Sequence, residues 1–268
     1  MKTAPGRDRS RLAGLLFMAL ASVLIASTPW AVAQPSENNQ KSSGAQTALI
    51  TGANRGIGLE LARQYSADGW RVIGTARKPG SAQELASVGA EVVQLDVTDQ
   101  ASVDRLAKQL EGRAIDVLIN NAGIQLLMWK LNEVDFDAFE KSLSVNTVGP
   151  VRVAQALIPH LRESEAPRII NITTNLSSIA DNSDGGFYGY RESKAALNMF
   201  TRSLAAEFGP EGFICIVLHP GWVKTDLGGP NAPLNVQESA RGIRLVIDGL
   251  SSEDNGSFWT HDGKNMAW

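Results

Sequence analysis

Three glycines within seven residues, Gly52, Gly56 and Gly58 of Thr51-Gly-Ala-Asn-Arg-Gly-Ile-Gly58, restrict this chain more than any other feature. They follow a short apolar run, Thr47 to Ile50, and open a segment of helical period that extends to Asp68. A strand that turns into a helix so quickly needs positions without Cβ atoms, where the backbone bends sharply and approaches a neighbour closely. The same missing side chains let backbone N–H groups reach a pyrophosphate at the amino end of the helix. The spacing is G-x-x-x-G-x-G rather than G-x-G-x-x-G, and a tight structural turn is the competing reading of the glycines alone.

Downstream, short apolar runs alternate with segments of helical period, as repeated βα units do. Strands are expected near Thr47–Ile50, Arg71–Gly74, Glu91–Leu95, Val117–Ile119, Arg168–Ile172, Phe213–Leu218 and Ser257–Thr260. Helices are expected near Gly56–Asp68, Ala82–Val88, Ala101–Leu110, Asp135–Leu161, Tyr188–Phe208 and Val236–Gly249. Right-handed crossovers stack such units into a single α/β domain around a doubly wound parallel sheet, with its ligand at the carboxyl ends of the strands where the winding reverses.

The amino-terminal segment stands outside this pattern. Lys2, Arg7, Arg9 and Arg11 precede the apolar run Leu12 to Ala26, and Ala31-Val-Ala33 has the small-x-small form of a cleavage site. Residues 1–33 read as a signal peptide for export to the periplasm or medium. A retained membrane anchor is the runner-up, although the run is short for a span of about 20 residues. Residues 34–45 are polar and read as a flexible lead-in to a domain over 46–268. The net charge of −3 argues against nucleic acid or an anionic membrane as the main partner. Cys215, the only cysteine, lies in an apolar run and reads as core, and the three histidines lack metal-ligand spacing.

Two further patterns bear on chemistry. An acidic residue at the end of the second strand would hold the ribose hydroxyls of NAD, but Gly74-Thr-Ala-Arg77 stands there, and Arg55 lies inside the glycine loop. Two guanidinium groups suit the 2′-phosphate of NADP, with solvated surface charges as the bland alternative. Tyr190 and Lys194, four residues apart, share one helix face, where an ammonium and a cofactor charge could lower the phenol's pKa. Alone, that pair occurs by chance in many amphipathic helices.

Taken together, Thr51 to Gly58, Asp96-Val97, Asn120-Asn-Ala-Gly123, Asn146, Tyr190-x-x-x-Lys194 and Pro220-Gly221 resemble the short-chain dehydrogenase/reductases from Gln46 to Trp268. The stretches Asp181 to Asn198, His219 to Asp226, Gly229 to Pro233 and Asp262 to Trp268 are similar to the C-factor and sniffer-like carbonyl reductase branch. The resemblance implies a Rossmann-type sheet of seven parallel strands, NADP(H), and a small carbonyl or alcohol substrate. It implies Gly52, Asn54, Arg55, Gly56, Ile57, Gly58 and Arg77 as cofactor residues, with Asp96 and Val97 at the adenine. Asn120, Ala122 and Gly123 would support the cofactor and central strand, and Pro220, Gly221 and Val223 would flank the carboxamide. Tyr190 would be the acid/base, Lys194 would bind the ribose and depress the Tyr190 pKa, and Asn146 would hold a relay water.

The family's carbonyl-polarising serine falls on Thr174, a hydroxyl on a branched Cβ with fewer rotamers, and Ser177 and Ser178 are the alternatives. A substrate pocket is expected from Ile124–Trp129, Ser183–Phe187 and Trp222–Ala232, with Met128, Trp129, Phe187 and Trp222 as apolar lining or as core. The rival expectation is an exported signalling or dinucleotide-binding protein with little turnover. The resemblance suggests dimers or tetramers, though its branch also contains monomers.

Overall fold

A computed structural model describes residues 44–268. The expected signal peptide and nearly all of the lead-in lie outside the described residues. Among the described residues no helix is long and apolar enough to cross a membrane.

Seven parallel strands form one sheet: β1 (Thr47–Ile50), β2 (Arg71–Ala76), β3 (Glu91–Gln94), β4 (Val117–Asn120), β5 (Arg168–Ile172), β6 (Ile214–His219) and β7 (Phe258–Thr260), in the order β3-β2-β1-β4-β5-β6-β7. The winding reverses between β1 and β4, which pair through Leu49 and Leu118. That reversal opens a crevice at the strands' carboxyl ends, the place where such sheets take their ligands.

Alternation along the strands builds two cores. Leu49, Ile73, Leu118, Ile169 and Cys215 face α3 (Gln100–Gln109), α5 (Gly149–Arg162) and α6 (Tyr190–Phe208). Ile50, Val72, Ile119, Ile170 and Ile216 face α1 (Gly56–Ala67) and α7 (Val236–Gly249). The short α2 (Gln83–Ser87) adds Leu85 beneath Gly74, where a Cβ would come within 2.7 Å of it. Cys215 is fully buried as expected, and burial pushes its thiol up to about 12. Arg244 joins α7 to α1, lying 4.0 Å from the centre of the Tyr65 ring and 2.7 Å from Asp68.

The expected helix over Asp135–Leu161 is instead two helices, α4 (Phe136–Leu143) and α5, joined by a wide π turn over Ser144–Val148. Pro150 has no N–H to give the Asn146 carbonyl, so a regular α-helix cannot close there. The Gly149 N–H bonds five residues back, to Ser144. Gly149 also admits close packing, since a Cβ there would lie 2.8 Å from Val97.

Candidate active site

The glycine loop is held from below. The Thr51 hydroxyl accepts hydrogen bonds from the N–H groups of Asn121 and Ala122, each at 3.0 Å. The Asn121 amide donates to the carbonyls of Thr51 and Gly52 at 2.9 and 3.1 Å. Gly52 and Gly56 have φ of 64° and 57°, a left-handed region that disfavours other residues. A Cβ on Gly58 would stand 2.5 Å from Asn121 Nδ2 and 2.8 Å from the Gly52 carbonyl. Helix α1 therefore starts close against the strands, and its N-cap, Arg55, makes no side-chain cap. Its first turn carries no acidic residue, which leaves amino-end N–H groups available to an external anion.

Gly58→Ala is expected to lower stability by about 1–3 kcal/mol, the usual cost of an overpacked site, and to weaken dinucleotide binding at least about tenfold by loosening this brace. Denaturant melting with fluorescence titration measures both. An unchanged midpoint and affinity would show that the close approach is dispensable.

Above the loop lies a cavity of about 870 Å³. Of the expected cofactor residues, Gly52, Asn54, Arg55, Gly56, Ile57, Arg77, Asp96, Val97, Ala122, Gly123, Tyr190, Lys194 and Pro220 line it. Hydrogen bonding from Thr98 holds the Asp96 carboxyl below the ordinary carboxylate range, with Arg77 adding a smaller pull.

Gly58 acts under the loop rather than at the cavity wall. Asn120 does not line the cavity either: its amide donates to Asn171 Oδ1 at 2.8 Å, and Asn171 donates to Thr201, tying β4 and β5 to α6. Asn120 thus supports the central strand, while its neighbour Asn121 braces the glycine loop. Successive residues at a strand end point oppositely, and the motif alone does not say which one faces the loop. Gly221, at φ 85°, packs on Leu234 and His261, and Val223 is buried behind the same loop. Lys224 and Thr225, inside the expected substrate segment Trp222–Ala232 but not singled out as cofactor residues, also line the cavity.

Helix α6 brings Tyr190 and Lys194 to the inner wall, both buried. The Lys194 ammonium donates to the Ile172 carbonyl at 2.7 Å, and burial draws its pKa down to about 8. A Cβ on Gly123 would lie 3.6 Å from Lys194 Nζ and 3.3 Å from Asn146 Oδ1, so Lys194, Gly123 and Asn146 converge. The π turn immobilises Asn146: its Oδ1 accepts from the Ile124 N–H, and its Nδ2 donates to the Ile124 carbonyl, both at 2.9 Å. A further bond runs from Nδ2 to Ser193 Oγ at 3.0 Å.

The expected depression of the Tyr190 pKa relies on the cofactor's charge as well as on Lys194, and the chain's own groups do not supply it. Burial pushes the phenol up to about 12, and the facing Thr174 hydroxyl pulls weakly the other way. Lys194, drawn to the Ile172 carbonyl, is not among the groups that shift it.

Of the three candidate hydroxyls, Thr174 is the one that lowers the Tyr190 pKa, although its Oγ1 also accepts from the Leu176 N–H at 3.2 Å and donates to Asn175 Oδ1 at 3.3 Å. Ser177 is locked into a buried network, 3.0 Å from the Thr173 hydroxyl and accepting from Asn198 Nδ2 at 2.9 Å. The Ser178 hydroxyl accepts from the Asp181 N–H at 3.2 Å.

Two of the expected substrate loops touch each other. The rings of Trp129 and Phe187 lie 4.2 Å apart, and Tyr188 N–H donates to the Met128 carbonyl. Phe187, at φ 55°, is the only described non-glycine residue in the left-handed region, a backbone cost of order 1–3 kcal/mol maintained by this packing. Met128 is buried under Gly189 and belongs to the core, while Trp129 and Trp222 stay more than half exposed. Trp222 donates its indole N–H to the Gly228 carbonyl at 2.7 Å, closing the third loop on itself.

Comparison with known proteins adds the following. The family model described as short chain dehydrogenase matches residues 46–233. The C-signal of Myxococcus xanthus is 46% identical over 154 residues, 58% of this chain and 93% of that protein. The 1-hydroxy-2-glutathionyl-2-methyl-3-butene dehydrogenase of Rhodococcus sp. (strain AD45) is 34% identical over 231 residues, 83% of this chain and 99% of that protein. Among solved structures, the carbonyl reductase Sniffer of D. melanogaster is 35% identical and covers 84% of this chain and 100% of its own, with a TM-score of 0.79. The NADPH-bound carbonyl reductase from chicken fatty liver, also 35% identical, covers 84% and 99% with a TM-score of 0.77.

Proposed function

The chain belongs to the short-chain dehydrogenase family of oxidoreductases, and on that premise we propose that it is an NADPH-dependent carbonyl reductase, able to run in reverse as an alcohol dehydrogenase. The observation that carries this reading is the convergence of Tyr190, Lys194, Gly123 and the Asn146 amide in and beside a cavity that also holds Arg55 and Arg77. The residues present suit a dinucleotide: an uncapped helix end, a loop that tolerates no Cβ beneath it, and a buried ammonium. The Rossmann-like neighbours that carry NADPH or NADP support the same choice.

The chemistry NADPH would supply is hydride for the carbonyl carbon. Everything else falls to the chain. Tyr190, with its pKa near 12, keeps its proton through the neutral range and gives it to the carbonyl oxygen. Thr174 donates a hydrogen bond to the same oxygen as its negative charge develops. Lys194 binds the ribose and keeps a positive charge beside the reacting groups, and Asn146, fixed on the Ile124 backbone, orders the water that resupplies the proton. The stacked Trp129–Phe187 pair and the exposed Trp222, all on the expected substrate loops, would favour an apolar carbonyl compound.

The C-signal likeness points toward signalling instead. A scaffold, however, has no use for a desolvated lysine beside Gly123 in the wall of the cavity. We propose further that residues 1–33 direct export and that 46–268 form the working domain.

Two measurements test this reading. A screen of NADPH oxidation by the purified protein against aldehydes, ketones and quinones should reveal turnover. Fluorescence titration should show NADPH binding at least about tenfold more tightly than NADH, about 1.4 kcal/mol, within reach of one charge-assisted phosphate contact. Equal affinities, or a preference for NADH, would remove the roles given to Arg55 and Arg77.

A further inference from the structure

Arg55 already has an anionic partner. Its Nη1 lies 3.3 Å from Oδ2 of Asp226, and both residues line the cofactor cavity. Asp226 is supplied by the loop that follows β6, and that loop is stiff. Gly228 N–H donates to the Thr225 hydroxyl at 3.1 Å, Gly229 N–H to the Thr225 carbonyl at 2.8 Å, and Lys224 N–H to the Leu234 carbonyl at 2.8 Å. The Gly228 backbone is so close to Val223 that no side chain fits between them. The loop also rests on the glycine loop, since a Cβ on Gly56 would lie 3.3 Å from Thr225 Cγ2. The protein thus holds a carboxylate at the amino end of α1, beside the guanidinium that also serves as that helix's uncapped N-cap residue.

Resting on the NADPH reading above, we propose that Asp226 is a specificity-determining residue that competes with the cofactor's 2′-phosphate for Arg55. A phosphorylated dinucleotide must take the guanidinium from Asp226, whereas one without the phosphate leaves the pair intact. Asp226 therefore weakens NADPH binding selectively and narrows the discrimination between the two cofactors. Displacement is easy, because the carboxylate is 78% exposed and returns to water rather than being stranded in the interior. Arg77 and Lys224, which face the same cavity, remain to hold anionic groups of the ligand while Arg55 changes partner.

Fluorescence titrations of the full chain with NADPH and NADH test this on four proteins: wild type, Asp226→Asn, Arg55→Ala and the double variant. Asp226→Asn should tighten NADPH about two- to fivefold, the range an exposed ion pair commands, and leave NADH unchanged. With Arg55 replaced by alanine, the same substitution should change NADPH affinity by less than about a third of that effect. Equal tightening in both backgrounds would mean direct repulsion of the phosphate and would overturn the competition. So would no effect at all, or an equal gain for NADH. The NADPH reading fails separately if wild type binds NADH as well as NADPH and Arg55→Ala changes neither affinity.

Discussion

Tyr190→Phe is expected to lower kcat for carbonyl reduction by about 10²- to 10⁴-fold, the usual contribution of a placed general acid, while NADPH binds nearly as in the wild type. Phenylalanine fills the same buried space and removes only the hydroxyl, so α6 and its packing should persist. Lys194→Ala should damage both kcat and cofactor affinity, because the ammonium has two duties and its alkyl stem fills buried space. A Tyr190→Phe enzyme that kept more than about a tenth of wild-type kcat would require another proton donor. Stopped-flow measurement of NADPH oxidation, with fluorescence titration beside it, separates chemistry from binding.

Thr174→Val is expected to lower kcat by roughly 10²- to 10³-fold with cofactor affinity nearly unchanged, since valine keeps the branched shape and loses the donor. Thr174→Ser should remain active. Ser178→Ala should be almost silent, because that hydroxyl serves the Asp181 backbone. Ser177→Ala should act through stability instead, since it opens the network with Thr173 and Asn198. Full activity in Thr174→Val, or a loss of kcat without a loss of stability in Ser177→Ala, would move the oxyanion contact away from Thr174.

Much of this arrangement was legible in the sequence because local signals and fold agreed. All seven strands fall where apolar runs are bounded by turn residues, and the glycine loop sits at the β1-to-α1 turn where its spacing placed it. Tyr190 and Lys194 reach the cavity together because four residues along α6 return to the same face. The features that stayed hidden depend on tertiary contacts. Nothing in Asn120-Asn121 says which amide turns toward the glycine loop, and the two residues divide the work. Arg55 and Asp226 are far apart in the chain and meet only because the loop after β6 folds over α1. The left-handed Phe187 follows two glycines that hint at a turn, but only the contact with Trp129 accounts for an aromatic ring there. For Tyr190, sequence supplies the lysine neighbour but not the depth of burial, which pushes its pKa up against the pull expected from lysine and cofactor.

The π turn at Ser144–Val148 makes the spacing between α4 and α5 sensitive to residue number rather than residue type. Each residue of an α-helix advances about 100° around the axis. A one-residue deletion within the turn, compensated by a donor at position 150, could restore a regular helix in which Val153, Leu157 and Leu161 still met the sheet. Because the wide turn already absorbs that advance of about 100°, α4 and α5 would stay in phase, but Asn146, inside the turn, would lose the extra residue that sets it against the Ile124 backbone. Substitutions across this segment can be graded by size and polarity, but a change of length has no conservative version: the core needs only the flanking helices, whereas the site needs the extra residue between them.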